Sequence, residues 1–232
     1  MAWPYPRILA HRGAGALAPE NTLGALRKGA SLGFRGVEFD VMLAGDGTPV
    51  LIHDETTERT TGAKGEVPKM SFAQLAELGV PAFEEAGKAC LALGLWANIE
   101  IKPAKGHERA TGEAVARMAR DLWRGAAAQP LLSSFSLDAL AAARAAAPEL
   151  PRGYIVRALP PAWLDEAKRV KCFSMHCDQR RLEEAQARQV LDAGYALACW
   201  TVNDPAIARR LLGWGAQCLI TDALAEIRPD FA

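Results

Sequence analysis

Two carboxylates and a histidine lie close together in the segment from Val37 to Asp54, VEFDVMLAGDGTPVLIHD. Glu38 and Asp40 alternate with apolar residues, so on a β-strand both carboxylates point to one face. Asp46-Gly47 is typical of a two-residue hairpin turn, and counting outward from that turn places His53 opposite Asp40. Two adjacent carboxylates repel each other unless a cation or a proton lies between them. The segment therefore predicts a divalent metal ion with a histidine beside it.

A third carboxylate follows on a later strand, predicted at 97–102. Its two isoleucines face one way, whereas Asn98, Glu100 and Lys102 face the other. A strand buried between parallel neighbours should be nearly all apolar, so this polar row indicates a function. Three hard oxygen ligands suit Mg²⁺ or Ca²⁺ better than zinc or copper. The structural alternative is an ion pair between one of these carboxylates and Arg12 or Lys102.

Cations and imidazoles accompany the carboxylates. Arg12 and Lys102 supply fixed positive charge suited to a phosphate oxygen. Of the four histidines, His11 and His53 accompany the candidate metal ligands, and two such imidazoles can divide general acid and base roles. One strand-end histidine by itself would be interpreted as structural, but the combination predicts phosphoryl transfer. The sequence has no GxxxxGK[ST], GxGxxG or GxSxG motif, which argues against nucleotide-driven chemistry and against a serine hydrolase.

Strands and helices alternate along the chain. The predicted strands cover residues 8–10, 37–41, 97–102, 131–135, 154–156, 172–176, 197–203 and 219–222. Eight strands alternating with helices in 232 residues predict an α/β fold, a (β/α)8 TIM barrel formed by one catalytic domain over residues 1–232. The polar stretch at about 54–80 is predicted to be a small insertion after the hairpin that follows strand 2. Most of the strands end in polar groups, which a barrel would gather on one face.

Composition narrows the class of protein. Lys plus Arg and Asp plus Glu number 27 each, so the charge balance gives no support to a nucleic-acid partner. The five cysteines are scattered and are predicted to be free core thiols. We see no signal peptide and no apolar run of the ~20 residues that a membrane span requires. We therefore expect a cytoplasmic protein with no stable membrane association, whereas the sequence does not decide between a monomer and a homodimer.

Several sequence blocks together resemble one enzyme family, the glycerophosphodiester phosphodiesterases, and most nearly its short, cytoplasmic bacterial type. The blocks are AHRG at 10–13, APENT at 18–22, EFDV at 38–41, DGTPVLIHD at 46–54 and NIEIKP at 98–103. Shorter matches, SSF at 133–135, WTVN at 200–203 and ITDA at 220–223, extend the resemblance nearly end to end.

The resemblance implies a TIM barrel that hydrolyses glycerophosphodiesters such as glycerophosphocholine and glycerophosphoethanolamine to sn-glycerol 3-phosphate and an alcohol, with a divalent cation. Carried over residue by residue, it implies the following assignment. The metal ligands are Glu38, Asp40 and Glu100, the catalytic acid/base pair is His11 and His53, and the substrate-binding residues are Arg12, Lys102, His176 and Trp200. Trp200 would pack on the glycerol or the head group.

Three questions stay open at this level. Our hypothesis has His11 as the base and His53 as the acid, but the sequence does not decide between the two assignments. It also leaves open whether water or the substrate's glycerol hydroxyl attacks phosphorus. The insertion is shorter than in the family pattern, which puts the enclosure of the substrate and the head-group selectivity in question. The alternative functions are a phospholipase D-like enzyme acting on lysolipids and a barrel that binds phosphodiesters or metal without turnover.

Overall fold

The computed structural model describes residues 3–231 and forms a closed barrel of eight parallel strands with helices between them, which confirms the predicted TIM barrel. The strands are Ile8–Ala10 (β1), Gly36–Leu43 (β2), Pro49–Leu51 (β3), Trp96–Ile101 (β4), Leu131–Ser134 (β5), Arg152–Val156 (β6), Ser174–Asp178 (β7), Ala196–Trp200 (β8) and Cys218–Thr221 (β9). They follow the order β1-β9-β8-β7-β6-β5-β4-β2-β3, and the pairing of β1 with β2 closes the ring. Only β3 is antiparallel, and it lies outside the ring.

Nine α-helices accompany the strands of the described residues. They are Leu23–Ser31 (α1), Glu58–Thr61 (α2), Phe72–Glu77 (α3), Phe83–Leu93 (α4), Glu108–Leu122 (α5), Leu137–Ala146 (α6), Trp163–Arg169 (α7), Glu184–Asp192 (α8) and Pro205–Gly213 (α9). Short 3₁₀ segments cover His11–Gly13, Gly15–Leu17 and Val67–Lys69. No helix within residues 3–231 is both long enough and apolar enough to cross a bilayer.

Aromatic side chains close the amino end of the barrel. Tyr5 stacks on Trp96 with ring centroids 4.2 Å apart, and Trp3 and Phe173 pack at the edges of this pair. Because Trp96 begins β4 and Phe173 directly precedes β7, the cluster lies where the strands start. The opposite end, where the strands finish, remains available for a site.

The main core lies between the strands and the surrounding helices. Val37, Phe39 and Ile99 point outward from the barrel and are fully buried there with residues such as Leu26 and Phe83. Four of the five cysteines are also buried, Cys172 is partly buried, and all five are free, as predicted. The side chains that alternate with these core residues on β2 and β4 therefore point into the barrel.

The predicted hairpin register is wrong by one residue. Val41 lies opposite Leu51, and the amide of Ala44 donates to the carbonyl of Thr48 at 2.9 Å, so the loop has three residues rather than two. Gly47 supplies the left-handed backbone, φ 84°, that such a loop requires at its last position. His53 therefore does not lie opposite Asp40 in a ladder; it follows β3 as part of a loop.

The segment from 54 to 80 contributes a small cluster of its own. Val67, Leu75 and Val80 pack with Val50 and Ile52 of the hairpin arm. Ser71 caps α3, because its hydroxyl and the Gln74 side chain satisfy each other's backbone amides. These contacts fix the segment beside the carboxyl end of the barrel.

One strand begins later than predicted. The sequence suggested residues 172–176, but β7 is Ser174–Asp178. Lys171 adopts a left-handed backbone, φ 50°, and the amide of Cys172 donates to the carbonyl of Ala167 at 2.9 Å, so these residues end α7. The shift places Asp178, as well as His176, inside the strand.

Candidate active site

A cavity of about 740 Å³ opens at the carboxyl end of the barrel strands. It lies within the range of about 300–1,000 Å³ that is usual for ligand pockets. All nine site residues predicted from the sequence line it: His11, Arg12, Glu38, Asp40, His53, Glu100, Lys102, His176 and Trp200. Their placement in one cavity is a property of the fold, whereas their roles remain predictions.

Three carboxylates form a compact cluster at one side of this cavity. Glu38 and Asp40 come from β2, and Glu100 lies directly opposite Asp40 on the neighbouring β4. Each carboxylate offers an oxygen within 4.8 Å of the others. Burial and, after it, the negative charge of Asp40 raise the pKa of Glu38 to about 7 and that of Glu100 to about 8. The cluster therefore resists full ionisation unless a cation is present.

Two side-chain cations compensate part of this charge. The Nζ atom of Lys102 lies 3.4 Å from Glu100 and 3.6 Å from Asp40, and the Nε atom of Arg12 lies 3.4 Å from Asp40. Although burial opposes it, Lys102 and Arg12 hold the pKa of Asp40 below its ordinary value. The ion pairs that the sequence offered as a structural alternative are thus present, yet three carboxylates still exceed two cations by one charge.

Glu38 gives a direct test of whether a metal ion suits the cluster. Its Oε1 atom is buried and has no hydrogen-bond partner. A buried carboxylate oxygen is costly to leave unpaired. An orphaned oxygen, an uncompensated negative charge and a set of hard oxygen donors fit Mg²⁺ or Ca²⁺ held by Glu38, Asp40 and Glu100.

The loop after β1 holds both β2 carboxylates in place. Arg12 and Asn21 adopt left-handed backbone conformations, φ 50° and 55°. The Arg12 amide donates to Glu38 Oε2 at 3.1 Å. The Asn21 amide group donates to Asp40 Oδ2 at 2.9 Å and accepts from the Asp40 backbone at 3.1 Å. Thr22 caps α1, and Asn21 orients Asp40.

His11 is held by a carboxylate from the last barrel strand. Its Nδ1 atom lies 2.6 Å from Oδ1 of Asp222, which directly follows β9, and its Nε2 atom lies 3.7 Å from Glu38. Asn203 fixes Asp222 in turn, through bonds of 2.8 and 3.1 Å to its backbone amide and its carboxylate. Burial lowers the pKa of His11, but the bond to Asp222 and the charge of Glu38 outweigh it, so that the pKa is raised.

His53 is held in the same way by its neighbour. Its Nδ1 atom lies 2.6 Å from Oδ1 of Asp54, and its Nε2 atom lies 2.5 Å from the Nζ atom of Lys102. Burial, with the positive charge of Lys102, lowers the pKa of His53 despite Asp40 and Asp54. Both imidazoles thus have a carboxylate behind Nδ1 and an Nε2 atom directed toward charged groups of the cavity.

A network of ion pairs links Asp54, the partner of His53, to Arg12. Arg59 of α2 donates to Asp54 at 2.5 Å and makes two bonds to Glu20, at 2.7 and 2.8 Å. Glu20 accepts a further bond from Arg12 at 2.7 Å. Sequence reasoning did not assign Glu20, Asp54 and Arg59 to the site. The signals available were the position of Asp54 next to His53 and of Glu20 within the APENT block.

His176 and Trp200 form part of the opposite wall. His176 is only 1% exposed, its Nε2 atom lies 2.9 Å from the Ser174 hydroxyl, and burial lowers its pKa to about 3. Gly153 lies against this ring, where a Cβ atom would be 2.5 Å from Nε2, so no larger residue fits there. Trp200 donates to the His176 carbonyl at 3.1 Å and lies nearer the rim. The imidazole of His176 is therefore neutral and forms part of the cavity wall.

Comparisons with known proteins point to one enzyme family. The model of the glycerophosphoryl diester phosphodiesterase family matches residues 11–226. Among solved structures, an Oleispira antarctica phosphodiesterase in complex with the product sn-glycerol-3-phosphate is 34% identical, with a TM-score of 0.89 and 94% of each chain covered. A glycerophosphodiester phosphodiesterase from Caldanaerobacter subterraneus is 27% identical, with 93% of each chain covered.

The mammalian similarity is partial. Human glycerophosphodiester phosphodiesterase 1 is 36% identical over 132 residues, which are 50% of this chain and 39% of the human protein. This chain thus spans well under half the length of that relative. The family match over nearly the whole barrel, and the Oleispira structure at 34% identity over 94% of both chains, carry the assignment. The chain belongs to the glycerophosphoryl diester phosphodiesterase family of hydrolases.

Proposed function

We propose that this phosphodiesterase hydrolyses small glycerophosphodiesters, such as glycerophosphocholine and glycerophosphoethanolamine, to sn-glycerol 3-phosphate and an alcohol. The observation that carries the proposal is the placement of Glu38, Asp40 and Glu100 in one cavity with two imidazole–carboxylate pairs. The product bound to the related Oleispira phosphodiesterase supports the same substrate class.

Glu38, Asp40 and Glu100 would hold the divalent cation, Mg²⁺ or Ca²⁺. When bound, such an ion supplies positive charge for the oxygens of a phosphodiester as negative charge develops on them. Arg12 and Lys102 line the same cavity beside these carboxylates. Their charged groups would bind the phosphate and orient it, the guanidinium through a planar pair of donors and the ammonium as a point charge.

His11 and His53 would move the protons. Each imidazole donates Nδ1–H to a carboxylate, Asp222 or Asp54, which fixes the ring and stabilises its protonated form. In our proposal, Nε2 of His11 takes the proton from the oxygen that attacks phosphorus. Nε2 of His53 gives a proton to the alcohol oxygen as the bond from phosphorus to that oxygen breaks. Such positioned groups typically contribute about 10²–10⁴-fold each to the rate.

A coupled assay tests the activity. Glycerophosphoethanolamine should release sn-glycerol 3-phosphate, measured with a glycerol-3-phosphate dehydrogenase, in the presence of Mg²⁺ or Ca²⁺. His53→Ala and Glu38→Ala should each lower the rate by at least about 10²-fold while the barrel stays folded by circular dichroism. His107→Ala is the matched control, because His107 is exposed and lies outside the cavity.

The products also distinguish the alternative functions. Phosphorus NMR of the reaction would show sn-glycerol 3-phosphate in the proposed reaction and a cyclic phosphate in a lysolipid phosphodiesterase. If His53→Ala and Glu38→Ala kept near wild-type rates, the site assignment would be wrong. If the diester bound but was not cleaved, the barrel would be a binding protein and the proposed activity would be wrong.

A further inference from the structure

Three arginines line the cavity on the side away from the carboxylates. Arg157 follows β6, and Arg180 and Arg181 follow β7. All three are exposed at the cavity mouth. Nothing in the proposed chemistry at the carboxylate cluster uses them, so they point to a further role of the same cavity.

The order of the strands places these arginines across the barrel from the metal ligands. In the eight-stranded ring, β7 is four strands from β2 in either direction, and β6 is four strands from β1. Glu38 and Asp40 lie on β2 and His11 follows β1. Arg180 and Arg181 therefore lie diametrically opposite the two β2 carboxylates, and Arg157 lies opposite His11.

The charges on the arginine side are not balanced. Asp178 pairs with Arg180 at 3.0 Å. Within residues 3–231, the guanidinium groups of Arg157 and Arg181 have no carboxylate partner, and Arg157 lies over the ring of Phe135 at 5.9 Å. Two positive charges thus remain at this side of the cavity.

The carboxylate side, by contrast, has cations of its own for the phosphate. Arg12 and Lys102 lie beside the three carboxylates, and a divalent cation held there would add two positive charges. These cations face the single negative charge of a phosphodiester. The phosphodiester group itself therefore does not need Arg157 and Arg181.

Glycerol carries no charge, so any second charged group of a glycerophosphodiester belongs to the alcohol. The cavity, at about 740 Å³, has room for an alcohol that extends from the phosphate toward the far side. Phe135 and Trp200, whose rings meet edge to face with centroids 5.5 Å apart, supply an apolar surface along that side. An alcohol with a short carbon chain and an anionic end matches this wall.

We propose that Arg157 and Arg181 form a subsite for an anionic group on the alcohol, a carboxylate or a phosphomonoester, and that the enzyme prefers such diesters to those of cationic alcohols. This inference rests on the proposed function, since it assumes that a glycerophosphodiester binds with its phosphate at the carboxylate cluster. Charge-assisted bonds from arginine to carboxylate or phosphate supply the selectivity.

A charge series of substrates tests the subsite. Two sets of three glycerophosphodiesters are prepared, one with two and one with four carbons before the end group of the alcohol. In each set the alcohol ends in an ammonium, a hydroxyl or a carboxylate group. At low ionic strength kcat/KM should rise in that order, with about fivefold or more between ammonium and carboxylate, and the difference should shrink as salt screens the exposed arginines.

Variants assign the preference to the two arginines. The double variant Arg157→Gln, Arg181→Gln should lower kcat/KM for the carboxylate substrate by about fivefold, and change that for the hydroxyl substrate less than twofold. The control is Arg188→Gln, because Arg188 is exposed on α8 and pairs with Glu184. It should leave all three substrates unchanged.

Each outcome has one interpretation. Equal rates across the charge series, or an equal loss on all substrates in the double variant, would contradict the subsite and leave the proposed function intact. If the wild-type protein cleaved none of the diesters, the proposed function itself would be wrong and the subsite with it.

Discussion

His11 and Asp222 join the first strand of the barrel to the last, with the Nδ1 atom of the imidazole 2.6 Å from a carboxylate oxygen. The other imidazole, His53, has the same 2.6 Å bond to Asp54, its immediate neighbour in the sequence. The two imidazoles thus have the same bond to a carboxylate, formed in two different ways. One depends on closure of the barrel, and the other on a loop of consecutive residues.

Asp222→Asn should lower kcat by about 10–100-fold with little change in KM, because an amide keeps the shape but does not stabilise a protonated imidazole. Steady-state kinetics with glycerophosphoethanolamine measure this, and thermal unfolding checks that the fold is intact. Asp121→Asn on α5, in an exposed ion pair with Arg124, is the control. A loss of less than twofold would show that the bond to Asp222 is not used.

Arg59→Lys should lower kcat about tenfold although Arg59 does not line the catalytic cavity. A lysine has one nitrogen in place of the planar guanidinium whose three nitrogens reach Asp54 and both oxygens of Glu20, so His53 and Arg12 both lose support. The loss should not add to that of Asp54→Asn in the double variant, because both changes act on one network. Arg117→Lys, in an i,i+4 pair on α5, is the matched control. Full additivity would contradict the network.

The two histidines should respond differently to a better leaving group. If His53 protonates the leaving alcohol, His53→Ala should lose far less activity on glycerophospho-p-nitrophenol than on glycerophosphoethanolamine, since nitrophenolate leaves without a proton. His11→Ala should lose about the same on both substrates. The opposite pattern would exchange the acid and base assignments. If each variant lost the same factor on both substrates, neither histidine would be the general acid.

His176 should make folding stability depend on pH. Burial lowers its folded pKa from 6.5 to about 3, so the unfolded chain binds more protons between these values. The contribution of neutral His176 to the free energy of unfolding is complete above about pH 6.5 and is lost as the pH falls toward 3. Urea unfolding across this range should show that the free energy of unfolding changes less steeply with pH in His176→Asn than in the wild-type protein. The difference between the two slopes should correspond to at most one bound proton. Identical slopes would show that His176 is not buried neutral.

Much of the fold follows from local pattern. The eight barrel strands alternate with helices as predicted, and Glu100 and Lys102 share the cavity because strand alternation is local. The hairpin register was mispredicted because Gly47 allowed a three-residue loop as readily as Asp46-Gly47 allowed a two-residue turn. His53 still reaches the cavity, but from a loop.

The supporting residues of the site could not be predicted in the same way. The contact between Arg59 and Glu20 spans 39 positions, and that between Asp222 and His11 spans 211. No periodicity links residues so distant, since only the assembled barrel brings them together. Long-range pairs of this kind determine the orientation of groups whose presence the sequence already indicates.

The central claim is that Glu38, Asp40 and Glu100 hold a divalent cation needed for phosphodiester hydrolysis. The most direct test measures release of sn-glycerol 3-phosphate from glycerophosphoethanolamine before chelation, after it, and after Mg²⁺ or Ca²⁺ is restored, alongside calorimetric titration of the chelated protein with each ion. We predict loss of activity with EDTA, recovery with one ion, and binding of that ion that Glu38→Gln abolishes. Hydrolysis undiminished by the chelator, with no ion bound, would contradict the account.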